Sequence, residues 1–232
     1  MPPVRRSLPS AHSVASRPGQ APTSTSCGDT KNTRSVVLNV EGGRLESCLR
    51  AWATCSVQRL ALVEEVEVYG GYPSFSRRSS TVTLSCVRAI LEMMPNCMRM
   101  VFRRVSICST NHQRLFPGVV GRLTSLHIVN CVVVTDGLDA ATVLAECPRL
   151  RDVVLSNVIW IDSRTRYSLP VPTVCLPVRS LGFFVVDEVS TWRVGRVIYA
   201  AASVLERLHV ALSPSMVSQG KFAFDLYRKL WY

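Results

Sequence analysis

The chain is 232 residues long, 47 % apolar, and carries a net charge of +11. That much apolar material supports a real core, in one large domain, two small ones, or a stack of repeats with no single centre. No window reaches about 18 uninterrupted apolar residues, and the N-terminus lacks an apolar signal core, which argues against a transmembrane helix and a secretory leader.

The basic residues are nearly all arginine; Lys31, Lys221 and Lys229 are the only lysines. An excess of this size admits nucleic acid, an anionic membrane or an acidic protein as partner. No basic run is interleaved with stacking aromatics in the manner of single-strand binders, so nucleic acid stands as the alternative reading. The nine cysteines form no C-x-x-C and no Cys/His cluster of zinc spacing. Cys97, Cys131 and Cys147 fall where a small apolar residue belongs. They read as reduced thiols packed as hydrophobes, which places the protein in an intracellular compartment, cytoplasmic or nuclear.

In chain order, residues 1–34 are rich in Pro, Ser, Thr and Arg and poor in large apolar side chains. They cannot offset the entropy of ordering and read as a disordered basic tail. Arg5, Arg6 and Arg17, with no acid before Asp29, also fit a mitochondrial transit peptide, but Pro2, Pro3, Pro9 and Pro18 interrupt the helix it would need. Residues 35–232 form the folded part. Val36 to Val40 predicts a strand, and Leu45 to Cys55 has helical spacing. Val57-Gln-Arg-Leu60-Ala-Leu62 reads as the next strand, followed by a Gly/Ser/Arg loop from Gly70 to Ser80 and a helix over Val82 to Met94.

From there a phrase recurs. Cys97-x-x-Met100-x-Phe102, Leu123-x-x-Leu126-x-Ile128, Leu150-x-x-Val153-x-Leu155, Val178-x-x-Leu181-x-Phe183 and Leu205-x-x-Leu208-x-Val210 start 26, 27, 28 and 27 residues apart. The step from Val57 to Cys97 is 40, one repeat with an insertion near the loop. A fixed period in this range marks stacked repeats, each a short strand with a return segment outside. The returns are read as an irregular turn over Asn111 to Val120, a helix over Leu138 to Cys147, a proline-rich stretch from Asp162 to Pro177, and a helix over Thr191 to Val204. Asp187-Glu188 reads as a loop. Phe222 to Trp231 is predicted to be a closing helix. The expected fold is an α/β leucine-rich-repeat solenoid of six or seven repeats, with a parallel sheet on its concave face.

Cys147 to Val158 (CPRLRDVVLSNV) and Arg122 to Gly137 (RLTSLHIVNCVVVTDG) resemble the cysteine-type leucine-rich repeats of F-box proteins, and the 26–28 spacing is similar to that of fungal F-box-like proteins. The resemblance implies the substrate-binding region of a ubiquitin-ligase receptor, with a cullin-ligase adaptor as a further partner. The family's adaptor-docking segment is a Leu-Pro phrase followed by an apolar helix. Here Leu8-Pro9 is followed by serines, prolines and Arg17, so no residue takes that role.

No G-x-S-x-G, H-E-x-x-H or G-x-x-x-x-G-K occurs, so the reading is non-enzymatic, with no cofactor and no metal. His127 and His209 hold the same place in repeats three strands apart, roughly 14 Å, too far to share an ion. Glu64, Glu65 and Glu67 read as a solvated strand edge, and Arg77-Arg78 and Arg103-Arg104 as charged surface. Strand alternation sends three rows of side chains to the open face. They are Arg59, Arg99, Ser125, Asp152, Ser180 and Arg207; then Ala61, Val101, His127, Val154, Gly182 and His209; then Val63, Arg103, Val129, Ser156, Phe184 and Ala211. Their apolar middle and flanking arginines predict a protein-binding patch in which Arg99, Arg103, His127, Val154 and Phe184 contact the partner.

Overall fold

A computed structural model describes residues 34–40, 45–54, 57–71, 81–108, 120–135, 140–145, 147–162, 174–185 and 188–212. The tail over residues 1–33 and the closing helix expected at Phe222 to Trp231 lie outside them, as do most of the loop after Gly70 and the turn before Val120. In chain order the elements are β1 (Ser35–Asn39), α1 (Leu45–Ala53), α2 (Val57–Leu60), β2 (Glu65–Tyr69), β3 (Thr81–Thr83), α3 (Leu84–Met93), β4 (Arg99–Arg103), β5 (Ser106–Cys108), a 3-10 turn (Val120–Arg122), β6 (Ser125–Val129), β7 (Val132–Thr135), α4 (Ala140–Ala145), β8 (Asp152–Ser156), β9 (Ile159–Asp162), β10 (Ser180–Val185), α5 (Glu188–Ala201) and β11 (Arg207–Leu212).

The protein is α/β with two parallel sheets. Seven strands pair in the order β1-β2-β4-β6-β8-β10-β11, and four in the order β3-β5-β7-β9. All pairings are parallel, and the recurring phrases lie in register: Met100, Leu126, Val153, Leu181 and Leu208 are successive partners. The first four of these are buried, with Phe102, Ile128, Leu155 and Phe183 behind them in the core. Burial of such a side chain contributes roughly 1.5–3 kcal/mol. Cys97, Cys131 and Cys147 are buried at the positions expected of small hydrophobes.

Two backbone patterns hold the large sheet in step. On its entry side, one carbonyl takes two amides of the next repeat: Glu64 and Glu65 donate to Arg34, Met98 and Arg99 to Glu64, Thr124 and Ser125 to Met98, and Arg151 and Asp152 to Thr124. On its exit side, the amides of Gly70, Arg104, Asn130 and Asn157 donate to the carbonyls of Arg103, Val129, Ser156 and Phe184.

The sequence reading differs from the structure in three places. Val57 to Leu60 is a helical turn, and the second strand starts at Glu65. Leu60, Val63, Val66 and Val68 are all buried, so the apolar spacing runs unbroken through both frames and offers no local choice between them. The second difference is the four-stranded sheet. The segments after the phrases turn a corner and form strands of their own instead of returning directly. Thr81 to Thr83, read as the approach to and start of a helix, is β3; Thr83 then caps α3, its side chain accepting the Cys86 amide at 3.4 Å. At the other end α5 begins at Glu188, a residue read as loop.

The corners explain why the chain can turn so sharply. Arg104, Asn130 and Asn157 follow β4, β6 and β8 and adopt φ of 56°, 53° and 51°. Asn enters this left-handed region more readily than other non-glycine residues. Asn157 Nδ2 donates to Asn130 Oδ1 at 2.9 Å, joining two corners. The Arg104 guanidinium lies over the Tyr69 ring and donates to its hydroxyl at 3.2 Å. Asn157→Val is expected to cost about 1–2 kcal/mol, because a β-branched residue is strained there. Asn157→Gly relieves that strain and loses only the side-chain bond. Urea titration of the two variants checks the order; equal stability would show that corner conformation is not limiting.

Candidate functional site

The outward face of the seven-stranded sheet carries three rows fixed by register. The first is Ser35, Glu65, Arg99, Ser125, Asp152, Ser180 and Arg207; the second is Val37, Glu67, Val101, His127, Val154, Gly182 and His209; the third is Asn39, Tyr69, Arg103, Val129, Ser156, Phe184 and Ala211. All five residues singled out from the sequence, Arg99, Arg103, His127, Val154 and Phe184, lie on this face. In the second strand, Glu65, Glu67 and Tyr69 replace the expected Arg59, Ala61 and Val63.

That replacement changes the electrostatics. Arg103 Nε meets Glu67 Oε1 at 2.7 Å, and Arg99 Nη1 lies 3.7 Å from Glu65 Oε2. Arg99 Nη2 also reaches His127 Nδ1 at 3.3 Å, while His127 Nε2 meets Asp152 Oδ2 at 2.8 Å. An arginine only donates, so Nδ1 is the acceptor and Nε2 carries the hydrogen given to Asp152. Ser125 Oγ donates to the same carboxylate oxygen at 2.9 Å. A polar chain therefore runs across four strands, from Glu65 through Arg99 and His127 to Asp152. Val101, between Glu67 and His127 in register, is buried within it.

Asp152 shows the balance of this chain. Burial pushes its carboxyl up, yet hydrogen bonds from His127, Ser125 and Ser180, with the attraction of His127, hold it below its ordinary value of 3.8. Exposed ion pairs are worth little each, about 0–1 kcal/mol, so the network's contribution is to position side chains more than to stabilise.

The expected apolar middle lies off-centre, toward β10. Val154 is half-buried, Gly182 leaves a gap beside it, and Phe184 is 38 % exposed. A Cβ added at Gly182 would meet Val154 Cγ2 at 3.5 Å, ordinary contact, so the absent side chain leaves a shallow opening about one methyl group deep on the sheet face.

Ser125, His127 and Asp152 are the residue types of a hydrolytic triad, but not its geometry. Ser125 gives its hydrogen to Asp152 instead of His127, so the imidazole does not stand between the hydroxyl and the carboxylate as a triad requires. Among the described residues no group of three His, Cys, Asp or Glu side chains is placed to hold a metal ion, and no helix is long and apolar enough to cross a membrane. The sequence reading puts Glu65 and Glu67 on a solvated strand edge but leaves them and Tyr69 out of the face rows, because it starts the second strand at Val57. The Glu-Val-Glu-Val-Tyr alternation from Glu65 to Tyr69 is the signal that, followed through as the strand frame, places them there. No family model, curated protein or solved structure matches the chain.

Proposed function

We propose that this protein is a leucine-rich-repeat solenoid whose open sheet face recognises another protein without catalysis, in the way that the substrate-binding repeats of an F-box ubiquitin-ligase receptor would. The observation that carries the proposal is the face itself. Its charges are paired with one another in advance, and they border an apolar opening at Val154, Gly182 and Phe184. Prepaired charges lose little on docking, and an apolar anchor entering the opening supplies affinity, the arrangement expected of a protein interface. Arg99 and Arg103 are committed to Glu65, Glu67 and His127 instead of being left for phosphates, so nucleic acid is the weaker reading.

The test follows the opening. Reversing Arg99 and Arg103 would gather four acids with Glu65 and Glu67 and disturb the face itself. Gly182→Arg and Phe184→Ala are cleaner, because each alters the opening without breaking an ion pair. Affinity capture from cell extract should lose a defined set of proteins with both variants, at unchanged melting temperature. Capture of a cullin-ligase adaptor by the full chain would extend the proposal to the ligase class. An identical capture profile for wild type and both variants would remove the face from recognition.

A further inference from the structure

A second surface lies on the entry side of the large sheet, where the chain runs into its strands. Arg34, Leu62, Glu64, Met98, Arg122 and Arg149 border an open groove of about 520 Å³ that runs past the entry ends of five strands, β1, β2, β4, β6 and β8. We propose that this groove binds an extended acidic peptide of a partner protein, with one apolar side chain of the peptide seated on Leu62 and Met98. The proposal does not depend on the sheet face and survives if that face binds nothing.

Three observations support it. The first is apolar exposure. Leu62 is 63 % exposed and Met98 45 %, and both line the same groove. The second is charge. Among the described residues that line the groove, three are arginines and one is a glutamate, and Arg34 lies 3.7 Å from Glu64, so Arg122 and Arg149 leave this lining with a net positive charge. The third is preorganisation. Asn96 Nδ2 donates to the Ala61 carbonyl at 2.7 Å, Arg122 donates to the Pro95 carbonyl, and Thr124 Oγ1 donates to the Met98 carbonyl at 3.2 Å. Each bond ties one repeat to the one before it. The walls are therefore fixed before anything binds, which lowers the ordering cost of binding.

Neither terminal segment of this sequence has the charge of the expected occupant. Residues 1–33 lead straight to Arg34 but hold four basic residues against Asp29, and residues 213–232 hold Lys221, Arg228 and Lys229 against Asp225. Both would be repelled by the groove. Nucleic acid is disfavoured by the lining, which among the described residues has two exposed apolar side chains and no aromatic on which a base could stack. An acidic peptide with an apolar anchor satisfies both the arginines and the exposed pair.

The test uses the full chain and a short fluorescein-labelled peptide with leucine flanked by glutamates, read by fluorescence anisotropy. Controls replace the leucine by serine, or the glutamates by lysines. The leucine–glutamate peptide should bind, and both controls should bind at least about tenfold more weakly. Arg149→Glu and Leu62→Ser alter exposed side chains, so their melting temperatures should match wild type. Each should weaken the peptide about tenfold or more. No binding by wild type, or equal binding by wild type and both variants, overturns the proposal. Equal binding of the leucine and serine peptides, with displacement by a single-stranded oligonucleotide, also overturns it and makes the rim a general anion surface.

Discussion

Leu155→Asp is expected to unfold the protein or bring it close to unfolding. Leu155 is 4 % exposed, in the fifth of the seven strands, with Ile128 and Phe183 as its register partners on either side. Neither neighbour offers a hydrogen bond or a positive charge to a carboxylate. An unpaired buried charge of this kind costs several kcal/mol, about 3–5 where such cases are measured. Whole domains are stable by only about 5–15 kcal/mol, so most of the margin would go. Position adds to the effect. In a stack where each repeat rests on its neighbours, a break in the interior separates the two sides, whereas a break at the end frays one. Thermal melting followed by circular dichroism should show a large fall for Leu155→Asp. Leu155→Met, which keeps the volume and adds no charge, should stay within about 1.5 kcal/mol. An unchanged melting temperature for the aspartate variant would place Leu155 outside the core.

The second large effect concerns thiol chemistry. Burial pushes the Cys97 and Cys131 thiols up from 9.0 to about 11, and backbone hydrogen bonds only partly oppose it. The thiolate is the reactive form. At pH 8, below both values, a rise of this size leaves roughly 100-fold less thiolate than an ordinary cysteine holds. Both thiols are also shielded: Cys97 Sγ donates to the Arg99 carbonyl at 3.3 Å, and Cys131 Sγ to the Val129 carbonyl at 3.3 Å. Cys175 is exposed. Brief iodoacetamide treatment at pH 8, with peptide mass mapping, should modify Cys175 at least about 100-fold faster than Cys97 or Cys131. Denaturant should abolish the difference. Comparable native rates would mean that those two thiols are reached without unfolding, and the placement of both phrases would be wrong.

The five recurring phrases from Cys97 to Val210 were legible in the amino-acid order because each fixes its own alternation. Once Met100 and Phe102 face inward, Arg99, Val101 and Arg103 must face outward. The same reasoning placed His127, Val154 and Phe184 on one face. The first part of the chain was less legible. Leu60, Val63, Val66 and Val68 continue an apolar spacing that fits more than one strand frame, and the structure begins the strand at Glu65, where both the Glu64 and Glu65 amides meet the Arg34 carbonyl. The short strands of the second sheet were hidden for a related reason. Val132 to Thr135 is a β-branched run and Ile159 to Asp162 holds two β-branched residues and a tryptophan, but a run of three or four residues does not declare whether it pairs or merely passes.

The sequence by itself determined the period, the inward rows and the burial of Cys97, Cys131 and Cys147, because these depend on residues a few positions apart. Only the tertiary structure decided that Arg99 and Arg103 are met by Glu65 and Glu67, that His127 joins Arg99 to Asp152, and that Leu62 and Met98 share a groove with Arg122 and Arg149. Those pairs come from different repeats, mostly some 25–35 residues apart in the chain and up to 87 for Leu62 and Arg149. Their meeting depends on the register between neighbouring strands. That register is set by hydrogen bonds along the whole sheet, which no single stretch of the chain encodes.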